Sequence, residues 1–526
     1  MAIVKSSYDD VNIPTGMSVI DFVFEKFDEY GDTAAVVDGL SGRSYTYAQV
    51  KLFTRHIASA LCRQGYRKGD VFGIMSPNIP EFVLMLCGIG RMGGVVSGVN
   101  PLYTADELVR QMDAAGAQMI ITVPPFAEKV LEAKSRLPRV KAVYVFGEAN
   151  GCQPFEDLLA DDGSAFPTLA PSLGDLFALP FSSGTTGVPK GVVVTNKMII
   201  WNISQLESNP EILDDAPGEN TLALLPYFHT FGLVVVMLHG LRCGTRQVCM
   251  ARFEPEAFLK IMQDYKINVA YLVPPIMLFL AKHPLVEKYN LSSLRMILSG
   301  AAPLGGDIAE ALKSRTGIKC IRQGFGMTEL GPASHVLPKS VDVPSSVGRL
   351  LPNTEAKIVD IQTGELLGAG QDGELCIRGP QVMGGYLNNP EATANTIDED
   401  GFLHTGDIGH YDDRELFYIV DRLKELIKYK GYQVPPAELE ALLLTHPAIS
   451  DAAVIGVPDE EAGELPKAYI VRVGKELTES DIVEFVAGKV APHKKLRGGV
   501  EFVATIPKSA SGKILRRILK GGAVKS

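Results

Sequence analysis

Along most of the chain, short runs of consecutive apolar residues alternate with longer stretches whose apolar positions recur every three or four residues. The first pattern suits buried parallel strands and the second amphipathic helices, so the alternation predicts layered α/β structure. Residues 71–75, 267–273 and 294–298 read as buried strands, and the stretch beginning at Ser44 reads as a helix through Leu61. The two most apolar stretches are 72–96 and 267–281. Pro77, Pro80, Glu81 and Arg91 interrupt the first, and Pro274-Pro275 the second. Neither offers the ~20 clean residues that a membrane helix needs, so both predict core.

The pattern changes late in the chain. Residues 374–378 and 415–420 read as strands, the second after an Asp412-Asp413 turn. Beyond Asp421 a compact α/β stretch follows. Pro435-Pro436 opens a helix carrying Leu439, Leu442 and Leu443 at helical spacing, and strands are predicted at 452–457 and 468–473. Thr478 and Asp481 form a capping-box pattern ahead of a helix over 482–490. The predicted fold class is therefore α/β, with a large N-terminal region of layered subdomains (1–420), a hinge (421–424) and a small mobile C-terminal α/β domain (425–526).

Composition narrows the function classes. Hydrophobic content of 46% with 21% charged residues excludes a disordered chain. With 51 basic against 61 acidic residues the formal charge is −10, which argues against a nucleic-acid-binding surface but not against a local nucleotide site. Seven scattered cysteines without a C-x-x-C pair indicate neither a zinc knuckle nor a disulfide scaffold, and favour a reducing compartment. The N-terminal residues lack a signal-peptide core, and Ala523-Val524-Lys525-Ser526 is not an S-K-L-type address, so a cytoplasmic location is expected over a peroxisomal one. Oligomeric state stays open between monomer and weak dimer.

The densest chemical signal is Ser-Ser-Gly-Thr-Thr-Gly-Val-Pro-Lys-Gly at 182–191, between the apolar run 176–181 and the β-rich run 192–195. Its glycines allow close backbone approach, while Ser182, Ser183, Thr185, Thr186 and Lys190 supply donors and charge for a polyphosphate. It is not a Walker A loop, because Pro189 precedes the lysine and Gly191 follows it. Further motifs follow in order: Pro-Tyr-Phe-His-Thr-Phe-Gly at 226–232, Ser-Gly-Ala-Ala-Pro at 299–303, Gln-Gly-Phe-Gly-Met-Thr-Glu at 323–329, His-Thr-Gly-Asp at 404–407, Val-Asp-Arg-Leu-Lys-Glu at 420–425, Lys-Tyr-Lys-Gly-Tyr-Gln at 428–433 and Pro-Lys-Ser-Ala-Ser-Gly-Lys at 507–513.

This ordered set, spanning roughly residue 20 to the C-terminus, resembles the adenylate-forming superfamily, in particular its branch of 4-coumarate–CoA ligases, acyl-CoA synthetases and beetle luciferases. The resemblance implies an ATP-dependent acid–CoA ligase that makes an acyl-AMP and pyrophosphate, then an acyl-CoA and AMP. ATP, Mg²⁺ and coenzyme A are the implied cofactors and co-substrates, with a small carboxylic acid as partner. By resemblance, the nucleotide contacts are Ser182, Ser183, Gly184, Thr185, Thr186, Gly187, Lys190, Ala302, Gln323, Gly324, Phe325, Gly326, Asp407 and Arg422. Lys430, Gly431 and Gln433 are implied on the CoA-facing side, and Lys424 at the hinge. Phe325 stands where the family usually has Tyr, keeping the stacking face for a purine and losing a hydroxyl. Thr328 is implied at the α-phosphate, and Glu329 is a hard oxygen ligand suited to Mg²⁺.

A carboxylate is itself the nucleophile toward the α-phosphorus, so the catalytic burden is charge neutralisation and in-line positioning. Lys513 resembles the lysine of the first half-reaction, Lys428 belongs to the face presented for the thioester step, and His229 resembles the gate between acid pocket and CoA tunnel. The acid pocket is expected from His229, Phe231, Gly300, Ala301, Gly324, Gly326, Ala302 and Ala333, which carry no anchoring carboxylate for an amino group. An arylpropenoic acid and a medium-to-long fatty acid are both compatible. Luciferin adenylation with light emission, and a non-catalytic acyl- or nucleotide-binding paralogue, are the competing readings.

Overall fold

The computed structural model describes residues 3–182, 189–302, 304–430, 432–474, 476–509 and 512–521. Two large sheets form the N-terminal body. One has seven strands in the spatial order Val194–Thr195, Leu176–Ala178, Val95–Gly98, Val71–Met75, Ala117–Thr122, Ala142–Val145 and Gln153–Pro154. It is parallel except where Val194–Thr195 meets its neighbour. All five residues of Val71–Met75 are buried, as expected for a parallel strand covered on both faces.

The second sheet has nine strands. Its central six, from Cys320–Gly326 through Met296–Ser299, Val269–Leu272, Asn220–Ala223 and Arg246–Cys249 to Ala34–Asp38, run parallel. Antiparallel strands close both edges: Ala333–Val336 with Arg349–Leu350 on one side, Ser44–Thr46 on the other. Ser44–Thr46 corrects the sequence expectation at that point. The helix begins at Tyr47, where Thr46 and Gln49 close a capping box, and the residues before it extend to pair with Ala34–Asp38.

An antiparallel five-stranded sheet follows, ordered Ile3–Lys5, Glu355–Val359, Gly373–Arg378, Leu403–Tyr411 and Phe417–Arg422. Buried and half-buried residues alternate along Glu355–Val359, the signature of a sheet with one face on the core. One hydrophobic core joins these three sheets.

Beyond Leu423 the chain builds a separate core from Ile427, Val434, Leu439, Leu443, Val454, Ile470, Ile482 and Val500, among others. Here a sheet of Tyr432–Val434, Ile427–Tyr429, Gly463–Arg472, Ile449–Asp459 and Val500–Phe502 packs with the helices Pro436–Leu444 and Glu479–Ala487. The predicted Thr478–Asp481 capping box is present, and the proline pair opens the first helix. This second unit is docked on the body. Lys282 Nζ donates to the carbonyls of Leu444 at 2.6 Å and Ile449 at 3.4 Å, and a Cβ on Gly512 would sit 3.2 Å from Val273.

Candidate active site

The two ends of the 182–191 motif are held together by pairing of Phe181–Ser182 with Lys190–Gly191. Ser183, Gly184, Thr185, Thr186 and Gly187 lie outside the described residues, so the stem alone places the loop. Ser182 Oγ donates to Glu329 Oε1 at 3.0 Å, and Tyr386 OH donates to the same oxygen at 2.9 Å. The Lys190 ammonium lies over the Tyr386 ring, 4.9 Å from its centroid. The loop stem, the buried Glu329 and Tyr386 thus form one connected group. Among the described residues both hydroxyl donors fall on Oε1 of Glu329, which leaves Oε2 for a hard cation.

Glu329 sits in the short turn Thr328–Leu330 at the end of Cys320–Gly326. That strand carries four of the motif residues. Gln323 is buried and spent on the backbone: its Oε1 accepts from Leu304 N at 2.9 Å, and its Nε2 donates to the carbonyls of Leu304 and Pro344. It therefore fixes the loop after Gly300, Ala301 and Ala302 against the strand. The Phe325 ring is half-buried, edge-on to His335 at 5.7 Å. Gly326 admits no side chain, because a Cβ there would collide with the Pro332 carbonyl.

Of the residues expected around the acid, Phe231 meets Gly300, and Ala333 pairs with Gly326 across neighbouring strands. A Cβ on Gly300 would come within 2.7 Å of the Phe231 ring, so the glycine lets that aromatic lie against the strand end. Ala301 follows with φ at +69°, an uncommon conformation for a residue with a Cβ. Ala333 is held from the far side by Asn202, whose amide exchanges hydrogen bonds with its backbone at 2.8 and 3.1 Å. His229 packs on Phe228, ring centroids 4.5 Å apart. Burial, assisted by the Lys513 charge, lowers the imidazole to about 4, so the ring is neutral at pH 7.

Asp407 and Arg422 face each other across paired strands, with Nε to Oδ1 at 3.2 Å. Burial raises the Asp407 carboxyl above its ordinary range, opposed by Arg422 and then Lys513. The strand residues before Asp407 are anchored by Glu374, which accepts from Gly406 N at 3.0 Å and pairs with His404 Nδ1 at 2.8 Å.

Lys513 enters this setting from the second unit. Its backbone is pinned by exchange with Ser509: Lys513 N donates to Oγ at 3.1 Å, and Ser509 N to the Lys513 carbonyl at 2.8 Å. Gly512, at φ +79°, makes the turn that aims it. Burial and then Arg422 lower the ammonium to about 8, while Asp407, Glu329 and Glu425 pull upward. The same ammonium acts on His229, so one cation is felt by His229, by the paired Asp407–Arg422 and by Glu329 together.

Lys428, Lys430 and Gln433 are exposed on the hairpin Ile427–Tyr429 and Tyr432–Val434, remote from this convergence; Gly431 lies outside the described residues. Lys424 is exposed in the turn after Phe417–Arg422. Sequence reasoning missed Tyr386, Asn202, Glu374 and Ser509. Ser509 lies within the 507–513 motif and Tyr386 in a Gly-Gly-Tyr-Leu-Asn turn, the local cues these residues offer.

The model of the AMP-binding enzyme family matches residues 23–387, and that of the AMP-binding enzyme C-terminal domain matches 438–513. A 4-coumarate–CoA ligase 3 of Oryza sativa subsp. japonica is 44% identical, the match covering 99% of this chain and 95% of the relative. A 4-coumarate–CoA ligase 1 of Petroselinum crispum is 41% identical over 98% and 96%. Among solved structures, ATP-bound MatB from Rhodopseudomonas palustris superposes with a TM-score of 0.87 at 27% identity, covering 96% of this chain and 99% of that one. The anthranilate CoA ligase AuaEII with anthranoyl-AMP gives 0.90 at 26%, covering 97% and 98%. The chain belongs to the AMP-binding enzyme family, as an ATP-dependent acid–CoA ligase that takes a carboxylic acid, ATP and CoA.

Proposed function

We propose that the acid is an arylpropenoic acid of the 4-coumarate class. The Phe231 ring lying against Gly300, next to Ala301, supports this reading, because a flat aryl group fits small residues walled by an aromatic. The relatives named as 4-coumarate–CoA ligases favour it over a light-emitting reading. A pyrophosphate-release screen with hydroxycinnamates, fatty acids of graded length and luciferin tests it. The highest kcat/KM should fall on a hydroxycinnamate; a preference for a fatty acid would overturn the assignment while leaving the ligase intact.

In this reading Asp407 accepts from the ribose hydroxyls beside Arg422, Thr328 donates to the α-phosphate, and the 182–191 loop wraps the leaving phosphates. Lys513 bridges the acid carboxylate and the α-phosphate, offsetting the repulsion that blocks attack. Neutral His229 shapes the acid's exit without competing for it as a cation. Glu329 suits Mg²⁺, since its buried carboxylate has one oxygen fixed by two hydroxyls and one left over. A bound Mg²⁺ would supply charge neutralisation on the phosphates.

For the second half-reaction the small domain turns about 421–424, withdrawing Lys513 and presenting Lys428, Lys430 and Gln433 to the thiol. A cytoplasmic setting is in keeping with seven unpaired cysteines, and no described helix is long and apolar enough to cross a membrane.

A further inference from the structure

In the antiparallel five-stranded sheet, three side chains able to ligate a metal meet outside the catalytic groups. Along Gly373–Arg378, Leu375 and Ile377 belong to the hydrophobic core, so Glu374 and Cys376 share the opposite face. Cys376 pairs directly with His404 of Leu403–Tyr411, which sets the imidazole beside the thiol. His404 Nδ1 lies 3.4 Å from Cys376 Sγ and 2.8 Å from Glu374 Oε2. Among the described residues this is the one group of three such side chains, with its ligand atoms all within 4.8 Å of one another.

Hydrogen bonding within the group does not satisfy it. Nδ1 carries at most one hydrogen, so it serves the carboxylate or the sulfur and not both. With that hydrogen given to Glu374, the thiol is left the Glu374 carbonyl at 3.9 Å. With Nδ1 bare, imidazole and carboxylate face each other lone pair to lone pair. A cation between the three atoms takes all the lone pairs at once.

The surroundings suit a divalent ion. Asp398 Oδ2 stands 3.6 Å from His404 Nε2, the ring nitrogen at which a metal-bound histidine commonly meets a carboxylate. Lys357, paired with Cys376 from the neighbouring strand, is held by Asp398 at 2.7 Å and lies over the Phe402 ring. Arg378 is likewise held by Glu355. Glu374 and Asp398 against Lys357 leave negative charge in excess. Burial pushes the Cys376 thiol up, so the sulfur keeps its hydrogen until a metal displaces it. His404 and Glu374 are half-buried and leave the ion a way in.

We propose that Glu374, Cys376 and His404 bind a zinc-class divalent cation, at a site separate from the Mg²⁺ suited to Glu329. Sulfur and imidazole select zinc over Mg²⁺, which takes hard oxygen ligands. Tetrahedral zinc spans ligand edges of roughly 3.3–3.6 Å, so sulfur and nitrogen are already in place and the Glu374 carboxylate opens by about 0.5 Å. Water at the half-buried His404 supplies the fourth ligand. As the Zn–S bond forms, the thiol proton leaves to solvent. The ion ties Gly373–Arg378 to the strand that carries Asp407, just ahead of that carboxylate.

The test is an absorption titration of the full-length protein with Co²⁺ in excess Mg²⁺, followed by displacement with Zn²⁺. A single equivalent of Co²⁺ should bind with a thiolate-to-cobalt charge-transfer band, and Zn²⁺ should abolish the band. Cys376→Ser should remove it, whereas Glu374→Gln should keep it and weaken Co²⁺ binding at least about tenfold. Cys152→Ser should change neither. If Cys376→Ser or Glu374→Gln does not fold, zinc-edge anomalous diffraction from wild-type crystals decides, with a peak expected between Sγ, Nδ1 and Oε2. Absence of the thiolate band, a band that survives Cys376→Ser, or zinc found only elsewhere overturns the proposal.

Discussion

The C-terminal unit carries two sets of polar groups, and the structure treats them in opposite ways. The Ser509–Lys513 turn is pressed onto the body. Gly512 packs toward Val273, and the Lys513 ammonium is desolvated among Arg422, Asp407 and Glu329. The Lys428–Gln433 hairpin faces water, with Tyr432 57% exposed and stacked on His493 at 4.7 Å. A single rigid docking can therefore engage only one set. On the proposed function, a half-reaction would be chosen by which face of one small core meets the body.

The comparison breaks first at Lys513. Lys513→Ala should lower pyrophosphate release by roughly a hundredfold or more, while CoA transfer from supplied acyl-AMP stays largely intact. Equal loss in both assays would erase the distinction between the faces. The same contrast should appear in the pH dependence. The ammonium is charged below about 8 and loses its proton above it, so kcat/KM for adenylation should fall as pH rises through 8, approaching tenfold per unit. CoA transfer should lack that fall.

Lys428→Ala should do the reverse of the first variant: roughly tenfold slower thioester formation from preformed adenylate, with pyrophosphate release little changed. The smallest effect belongs to docking itself. Lys282→Ala removes the donor to the Leu444 and Ile449 carbonyls and should reduce adenylation by about fivefold, from an interaction near 1 kcal/mol. Thioester formation read in parallel should not drop.

What could be read from the residues alone was whatever a local pattern carries. The continuous run at Val71–Met75, the capping box at Thr478 and the proline start at Pro436 each state their structure within a few positions. Ser44–Thr46 went unread because its role depends on pairing with Ala34–Asp38, and a Tyr-Thr-Tyr sequence ahead of a helix serves either state. The motif residues announced themselves through their order. Their supports did not, because Tyr386 reaches Glu329 across 57 residues and Asn202 reaches Ala333 across 131.

The π-helix Phe231–His239 also acts as a ruler between two ends of the molecule. An ordinary helix advances about 100° per residue, and a wider turn holds an added residue without passing that rotation on. Deleting one residue here should therefore be absorbed by closing the wide turn to an ordinary one, with His229 and Phe231 keeping their places at one end and His239 keeping its own at the other. The chain should therefore tolerate a one-residue deletion better between Phe231 and His239 than inside an ordinary helix of the body.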